Sequence, residues 1–124
     1  HVPEIVKWSA LSARPLFVPS VGNFRQGMLV NAPLQLDALP GKPKAADLEA
    51  ALSKHYAGQR YVRVVRPDAS GRLDALALNG TNDLELMVYA NENRRQAVLI
   101  ARLDNLGKGA SGAAVQNVEL MLGL

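Results

Sequence analysis

The segment from Leu103 to Leu124 (LDNLGKGASGAAVQNVELMLGL) constrains this chain more than any other. An apolar run, Ala97 to Leu103, leads into Asp104-Asn105 and a glycine-rich loop. The loop opens a helix whose apolar face is Val115, Val118 and Leu122. Gly107-Lys108-Gly109-Ala110-Ser111-Gly112 matches the G-x-G-x-x-G spacing that lets a backbone approach a pyrophosphate between a strand and a helix. That fingerprint, however, begins a βαβ unit and needs an acidic residue about 20 positions on to hold the ribose. Only 12 residues follow Gly112 in the 124-residue chain. The loop can touch a ligand, but it is not a Rossmann nucleotide site.

Length allows one domain, large enough to bury a real core. Hydrophobic residues make up 48% and charged residues 20%, an ordinary balance for a globular protein. The net charge of +3 comes from scattered Lys and Arg with short pairs such as Arg94-Arg95, and only six aromatics are present. A nucleic-acid surface would cluster its cations with aromatics between them, so the charge reads as a solvated surface and no nucleic-acid partner is expected. With no cysteine there is no disulfide framework, no thiolate nucleophile and no Cys-type zinc site in the chain. The two histidines, His1 and His55, stand too far apart in sequence to suggest a metal site. No segment reaches the ~18 apolar residues that span a membrane, and no signal peptide is visible, so no membrane partner and a cytoplasmic location are expected. The chain begins at His1 without a methionine and runs straight into helix-like sequence. It reads as a piece of a longer protein.

Residues His1 to Ala10 read as a helix, with Pro3 in the first turn and Glu4 at the positive end of the dipole. Leu16 to Val21 reads as a short strand interrupted by Pro19. Phe24 to Leu36 alternates around Met28, Val30, Leu34 and Leu36, a long strand in which Pro33 implies an edge or a bulge. Pro40 to Pro43 is a loop. Ala45 to Tyr56 is the clearest amphipathic helix, with Leu48, Leu52 and Tyr56 spaced by four and Gly58 ready to cap it. Tyr61 to Val65 is a strand, Pro67 to Gly71 a turn, and Leu84 to Ala90 and Ala97 to Leu103 form a hairpin around Asn91 to Arg95. Short polar turns favour antiparallel pairing, and helices fall between strand groups. The fold class is therefore α+β: a largely antiparallel or mixed sheet with helices on one face.

Several residues offer chemistry. His1, at a helix start, belongs to the residue type that exchanges protons near neutral pH, although a chain-terminal exposed histidine can equally be without consequence. His55, beside Lys54 at a helix C-terminus, complements the dipole. Arg25 follows Gly22-Asn23-Phe24 at a strand start, where a guanidinium can grip a phosphate or carboxylate through two parallel bonds. A lone arginine there is more often a surface ion-pair partner. Asn79-Gly80-Thr81-Asn82 is turn chemistry with amide groups to spare. The terminal loop presents helix-start N–H groups that suit an anion.

His1-Val2-Pro3-Glu4-Ile5, the run Phe17 to Met28 (FVPSVGNFRQGM) and the block Leu103 to Leu124, in this order, resemble the C-terminal half of the N-acetyl-γ-glutamyl-phosphate reductases, the shorter-chain type above all. The resemblance covers essentially the whole chain; DNLGKGASGAAVQN is its specific part, and Pro40 to Gly71 adds little. It implies a catalytic and dimerisation domain like the C-terminal domain of glyceraldehyde-3-phosphate dehydrogenases. The NADPH-binding Rossmann domain and a nucleophilic cysteine would lie upstream of His1. The implied reaction reduces N-acetyl-glutamyl 5-phosphate to the 5-semialdehyde, with release of phosphate, in arginine biosynthesis. By position, the resemblance makes His1 the acid/base, Ser20 and Arg25 substrate-binding residues, and Asn105, Gly107, Lys108 and Gly109 a loop near the nicotinamide. A homo-oligomer, dimer or tetramer, is implied. The alternatives are a reductase of the same fold acting on an aminoadipyl phosphate in lysine synthesis, and a non-catalytic small-molecule-binding or oligomerisation module.

Overall fold

One hairpin organises the molecule. In the computed structural model, which describes residues 1–124, β3 (Leu84–Asn91) and β4 (Gln96–Leu103) pair antiparallel over their full length, from Leu84 opposite Leu103 to Asn91 opposite Gln96. A 3-10 turn, Glu92–Arg94, joins them. Its geometry is held by the Asn91 side chain, which accepts the Arg94 N–H at 3.1 Å, and by Arg95 in the left-handed region at φ 52°. β1 (Met28–Gln35) pairs antiparallel with the other side of β4. β2 (Val62–Val64) pairs parallel with β3, giving the order β1-β4-β3-β2. The parallel pair follows from the chain between them, because residues 65–83 supply the long crossover that such a pair needs. Pro33 lies in β1, an edge strand, where a missing N–H is tolerated.

Alternation along the strands puts Leu34, Ala97, Leu99 and Val88 on one face and Val98, Ile100, Met87 and Arg102 on the other. Helix α2 (Ala45–His55) packs on the first face. Buried Leu36, Val88 and Ala97 form a cluster there, covered by Leu39, Leu48, Leu52 and Leu99. Burying a side chain as fully as Leu36 stabilises by about 1.5–3 kcal/mol. The helix start is tied down twice: Asp47 accepts the Lys44 N–H at 2.8 Å, and the Ala45 N–H donates to Glu92 at 2.7 Å, linking α2 to the hairpin turn. Against the second face lies an irregular stretch rather than a helix. Arg102, paired with Glu85, donates to the Asp74 carbonyl at 3.3 Å, and Leu78, Met87 and Ile100 are buried.

The structure corrects several expectations. Leu16 to Val21 is not a strand: Pro15 and Pro19 remove N–H donors, and Leu16, Val18 and Val21 stand exposed with no ladder partner. The long strand starts at Met28 rather than Phe24, because Gly27 turns the chain at φ 114°, and it stops at Gln35, where the 3-10 turn Leu36–Ala38 begins. The glycine-rich stretch is no open loop. Gly107–Ser111 forms a π-helical turn that runs directly into α3 (Gly112–Leu122). α1 (Val2–Ser9) buries no residue, and Val115, Val118 and Leu122 of α3 are exposed, so α2 is the helix that covers the sheet. The class is α+β with a four-stranded mixed sheet. No helix is long and apolar enough to cross a membrane.

Candidate functional site

At the end of β4 the chain carries Asp104 into the interior, where the residue is only 1% exposed. A buried carboxylate is costly unless hydrogen-bonded, and here every bond comes from a neutral donor. One oxygen accepts the Gln26 side-chain amide and the Gly80 N–H, both at 2.8 Å; the other accepts the Leu106 N–H at 2.9 Å. The Gly107 N–H is turned toward the same carboxylate. These donors hold the carboxyl below the usual carboxylate range. The Gly80 N–H contributes most, the Leu106 and Gly107 N–H groups and Gln26 add to it, and burial works in the opposite direction.

The neighbouring residue repeats the pattern. Asn105 Oδ1 accepts the Gly27 N–H at 2.8 Å, and Asn79 Nδ2 donates to the Gln26 carbonyl at 3.2 Å. Three segments distant in sequence therefore meet: residues 20–27, the turn 79–82 and the turn after β4. Their junction borders an open cleft of about 510 Å³ whose lining includes Ser20, Arg25, Gln26, Asn31 and Asn105. A shallower depression of about 400 Å³ adjoins it, with Arg25, Gln26, Asp104 and Gly107 in its wall. Arg25 belongs to both and forms no ion pair within the chain. An unpaired guanidinium with Ser20 and the Asn105 amide in one cleft can bind an oxyanion such as a phosphoryl group or a carboxylate.

The residues singled out in the sequence divide into three groups. Ser20, Arg25 and Asn105 come together in the larger cleft, and Gly107 lines the smaller one. Lys108 and Gly109 line neither: the Lys108 ammonium bonds to Gln116 and sits 5.6 Å from the centroid of the Tyr61 ring. Tyr61 in turn donates to Glu119 at 3.0 Å, so Lys108 belongs to the joint between α3 and β2. His1 stands apart at the start of α1, 77% exposed, with Glu4 at 3.6 Å and the Phe17 ring at 5.5 Å. Asp104, Gln26 and Gly27 were missed as members of the site. The available signal was a lone Asp-Asn placed between an apolar strand and a helical glycine turn.

The glycines explain why the segment fails as a pyrophosphate cradle. A side chain at Gly107 would meet the Thr81 carbonyl at 2.7 Å, and one at Gly112 would run into the Asn82 side chain. The Leu106 N–H is already spent on the Asp104 carboxylate, and the Gly109 N–H on the Asp104 carbonyl at 2.9 Å. The glycines thus admit the 79–82 turn, and the N–H groups serve Asp104 instead of a nucleotide phosphate. These residues do not fit the pyrophosphate of a dinucleotide.

Comparison with known proteins gives the wider setting. The family model described as semialdehyde dehydrogenase, dimerisation domain, matches residues 1–105. The chain belongs to the semialdehyde dehydrogenase dimerisation-domain family. Among its relatives, a Pseudomonas putida protein named N-acetyl-gamma-glutamyl-phosphate reductase 2 is 54% identical over 99% of this chain and 40% of its own length. Proteins named N-acetyl-gamma-glutamyl-phosphate reductase from Trichormus variabilis and Brucella ovis are 49% and 52% identical, over 100% and 99% of this chain and 40% and 41% of their own lengths. The dimerisation domain thus spans about 40% of the length of the curated relatives it matches. Of its 124 residues, the family model leaves out 106–124, the part that holds the π-helical turn and α3.

Proposed function

We propose that this chain is the substrate-facing and oligomerisation domain of an NADPH-dependent reductase. The enzyme would convert N-acetyl-glutamyl 5-phosphate to N-acetyl-glutamate 5-semialdehyde plus phosphate, in cytoplasmic arginine biosynthesis. The observation that carries this reading is the cleft that unites Ser20, Arg25 and Asn105, in a chain about half identical along its whole length to reductases of that name. In this proposal Arg25 grips the phosphoryl or carboxylate oxygens, and the Ser20 hydroxyl donates to the same group. His1 exchanges the proton of the thioester step once the rest of the protein closes over α1. Asn105 and Gly107 border the nicotinamide end of the cofactor, while Lys108 and Gly109 shape the turn behind them.

NADPH, when bound, supplies the hydride. Because the glycine turn does not fit a pyrophosphate, the proposal gives that part of the cofactor, and the cysteine nucleophile, to a Rossmann domain in the remainder of the longer protein. It likewise compares the mixed sheet to the C-terminal domain of glyceraldehyde-3-phosphate dehydrogenases. The half-exposed Met28 and Val30 of edge strand β1 are its contribution to a dimer or tetramer.

The deciding experiment uses the complete protein that contains this chain. With N-acetyl-glutamate semialdehyde and NADP⁺ it reduces the nucleotide only when inorganic phosphate is present, whereas the 124-residue chain alone gives no turnover. A complete protein inactive in this assay, or a chain active alone, overturns the proposal. Light scattering at micromolar concentration tests the oligomer, and a strictly monomeric complete protein contradicts it.

A further inference from the structure

Asp104 is the buried charged residue of the chain, and it forms no ion pair. Its donors are amides drawn from three places: Gln26, 78 positions away, Gly80, 24 positions away, and the turn that follows it. Ending β4 requires no carboxylate. What a carboxylate adds is a second accepting oxygen: one gathers Gln26 and Gly80, pinning the 20–27 segment and the 79–82 turn onto the end of the strand, while the other holds the Leu106 N–H of the turn that follows. Saturation by neutral donors has a second consequence. The charge of Asp104 draws no arginine to itself, so Arg25, one residue before Gln26 and in the wall of the same depression, keeps its guanidinium free.

We propose that Asp104 is a positioning residue which, through Gln26, sets the reach of Arg25 into the cleft and so governs capture of the oxyanionic group of the substrate; this rests on the reading of the cleft as the substrate site. Asparagine cannot replace it. Whichever way its amide turns, the –NH₂ meets an N–H that needs an acceptor. Facing Gln26 and Gly80, it could be relieved by a flip of the Gln26 amide, but not at the Gly80 backbone N–H; facing the other way, it meets Leu106. Gln26→Met removes the bond that ties the arginine-bearing segment to Asp104 and changes one lining residue, but leaves the backbone donors on Asp104, which makes it the milder variant.

The test compares Gln26→Met, Asp104→Asn and the double variant in the complete enzyme, running the reaction from semialdehyde, NADP⁺ and inorganic phosphate. If that bond is what keeps Arg25 poised, a tenfold smaller poised population in its absence raises KM for phosphate by about tenfold. We expect that rise in Gln26→Met and a rise no larger than it in Asp104→Asn, whose amide keeps a weaker neutral bond to Gln26, with kcat and the Kd for NADP⁺ within about threefold of wild type. The double variant is expected to be no worse than Gln26→Met, because both act on one relay. An unchanged phosphate KM in Gln26→Met overturns the proposal. So do additive losses, which would mean that Gln26 meets the ligand itself. If Asp104→Asn does not fold, Gln26→Met is combined with Arg25→Lys instead: no further rise in KM over the more affected single variant sustains the relay, and additive rises overturn it. If the wild-type enzyme turns over no semialdehyde, the functional reading fails separately. Equilibrium binding of inorganic phosphate then judges the positioning claim: weaker binding in Gln26→Met than in wild type sustains it, and unaltered or absent binding overturns it.

Discussion

Gln26 donates a 2.8 Å hydrogen bond to Asp104 across 78 positions of sequence, and that bond joins the arginine-bearing segment to the end of the central hairpin. Immediately after it, Gly27 bonds to Asn105 at 2.8 Å, so two successive residues of one segment are fastened to two successive residues of the other. The cleft owes its shape to this double stitch, and several consequences can be measured.

Gly27 has φ 114°, and a Cβ there would lie 2.5 Å from the Ala75 carbonyl oxygen. Gly27→Ala is expected to destabilise the chain by more than the roughly 1–3 kcal/mol that a strained backbone costs alone. Gly58→Ala is the control. At φ 77° with nothing within 4 Å, it carries only the left-handed penalty, about 1–2 kcal/mol. Urea midpoints at unchanged slope measure both, and equal losses would contradict the packing role of Gly27.

The depressed Asp104 carboxyl predicts a particular acid sensitivity. Below about pH 4 the unfolded chain takes up a proton at this position while the folded chain still holds the charge. The unfolded state then binds more protons, so the contribution of Asp104 to stability is present above that range and is lost as pH falls toward the depressed folded value. Urea midpoints followed from about pH 5 downward should therefore fall more steeply in wild type than in Asp104→Asn, since the other carboxylates titrate in both. Parallel slopes would remove Asp104 as the cause.

Arg25→Lys keeps the charge and loses the planar fork. If the complete protein catalyses the proposed reaction, KM for phosphate should rise by about tenfold or more while kcat stays within about threefold. A fall in kcat at constant KM would place the arginine in the chemical step instead.

His1→Asn keeps approximate size and some hydrogen bonding but removes the exchangeable proton. If His1 performs acid–base work in the complete enzyme, kcat should fall by about 10²–10⁴ with a much smaller change in KM. A kcat within about threefold of wild type would leave His1 as the cap of α1 and move the acid–base role elsewhere.

Sequence alone determined the elements whose evidence is local. The β3–β4 hairpin follows from two apolar runs around a polar Asn91–Arg95 turn, and α2 from Leu48 and Leu52 spaced by four. Pro33 pointed to an edge strand or a bulge, and its strand lies at an edge, because the missing N–H acts wherever the residue sits. Ser20, Arg25 and Asn105 could be named as candidates, but nothing in their spacing places them in one cleft. Tertiary structure decided whatever depends on a partner far along the chain. Leu16 to Val21 has the apolar composition of a strand, yet a strand exists only where a neighbouring ladder accepts it, and this segment, flanked and interrupted by prolines, has none. The glycines at 107 and 112 match a nucleotide spacing, but the turn at 79–82 packs against both of them, and the Leu106 and Gly109 N–H groups serve Asp104. Asp104 reads in sequence as one polar residue after a strand. It becomes the hub of the site only when folding brings Gln26 and Gly80 to one oxygen of a carboxylate that burial obliges to find donors.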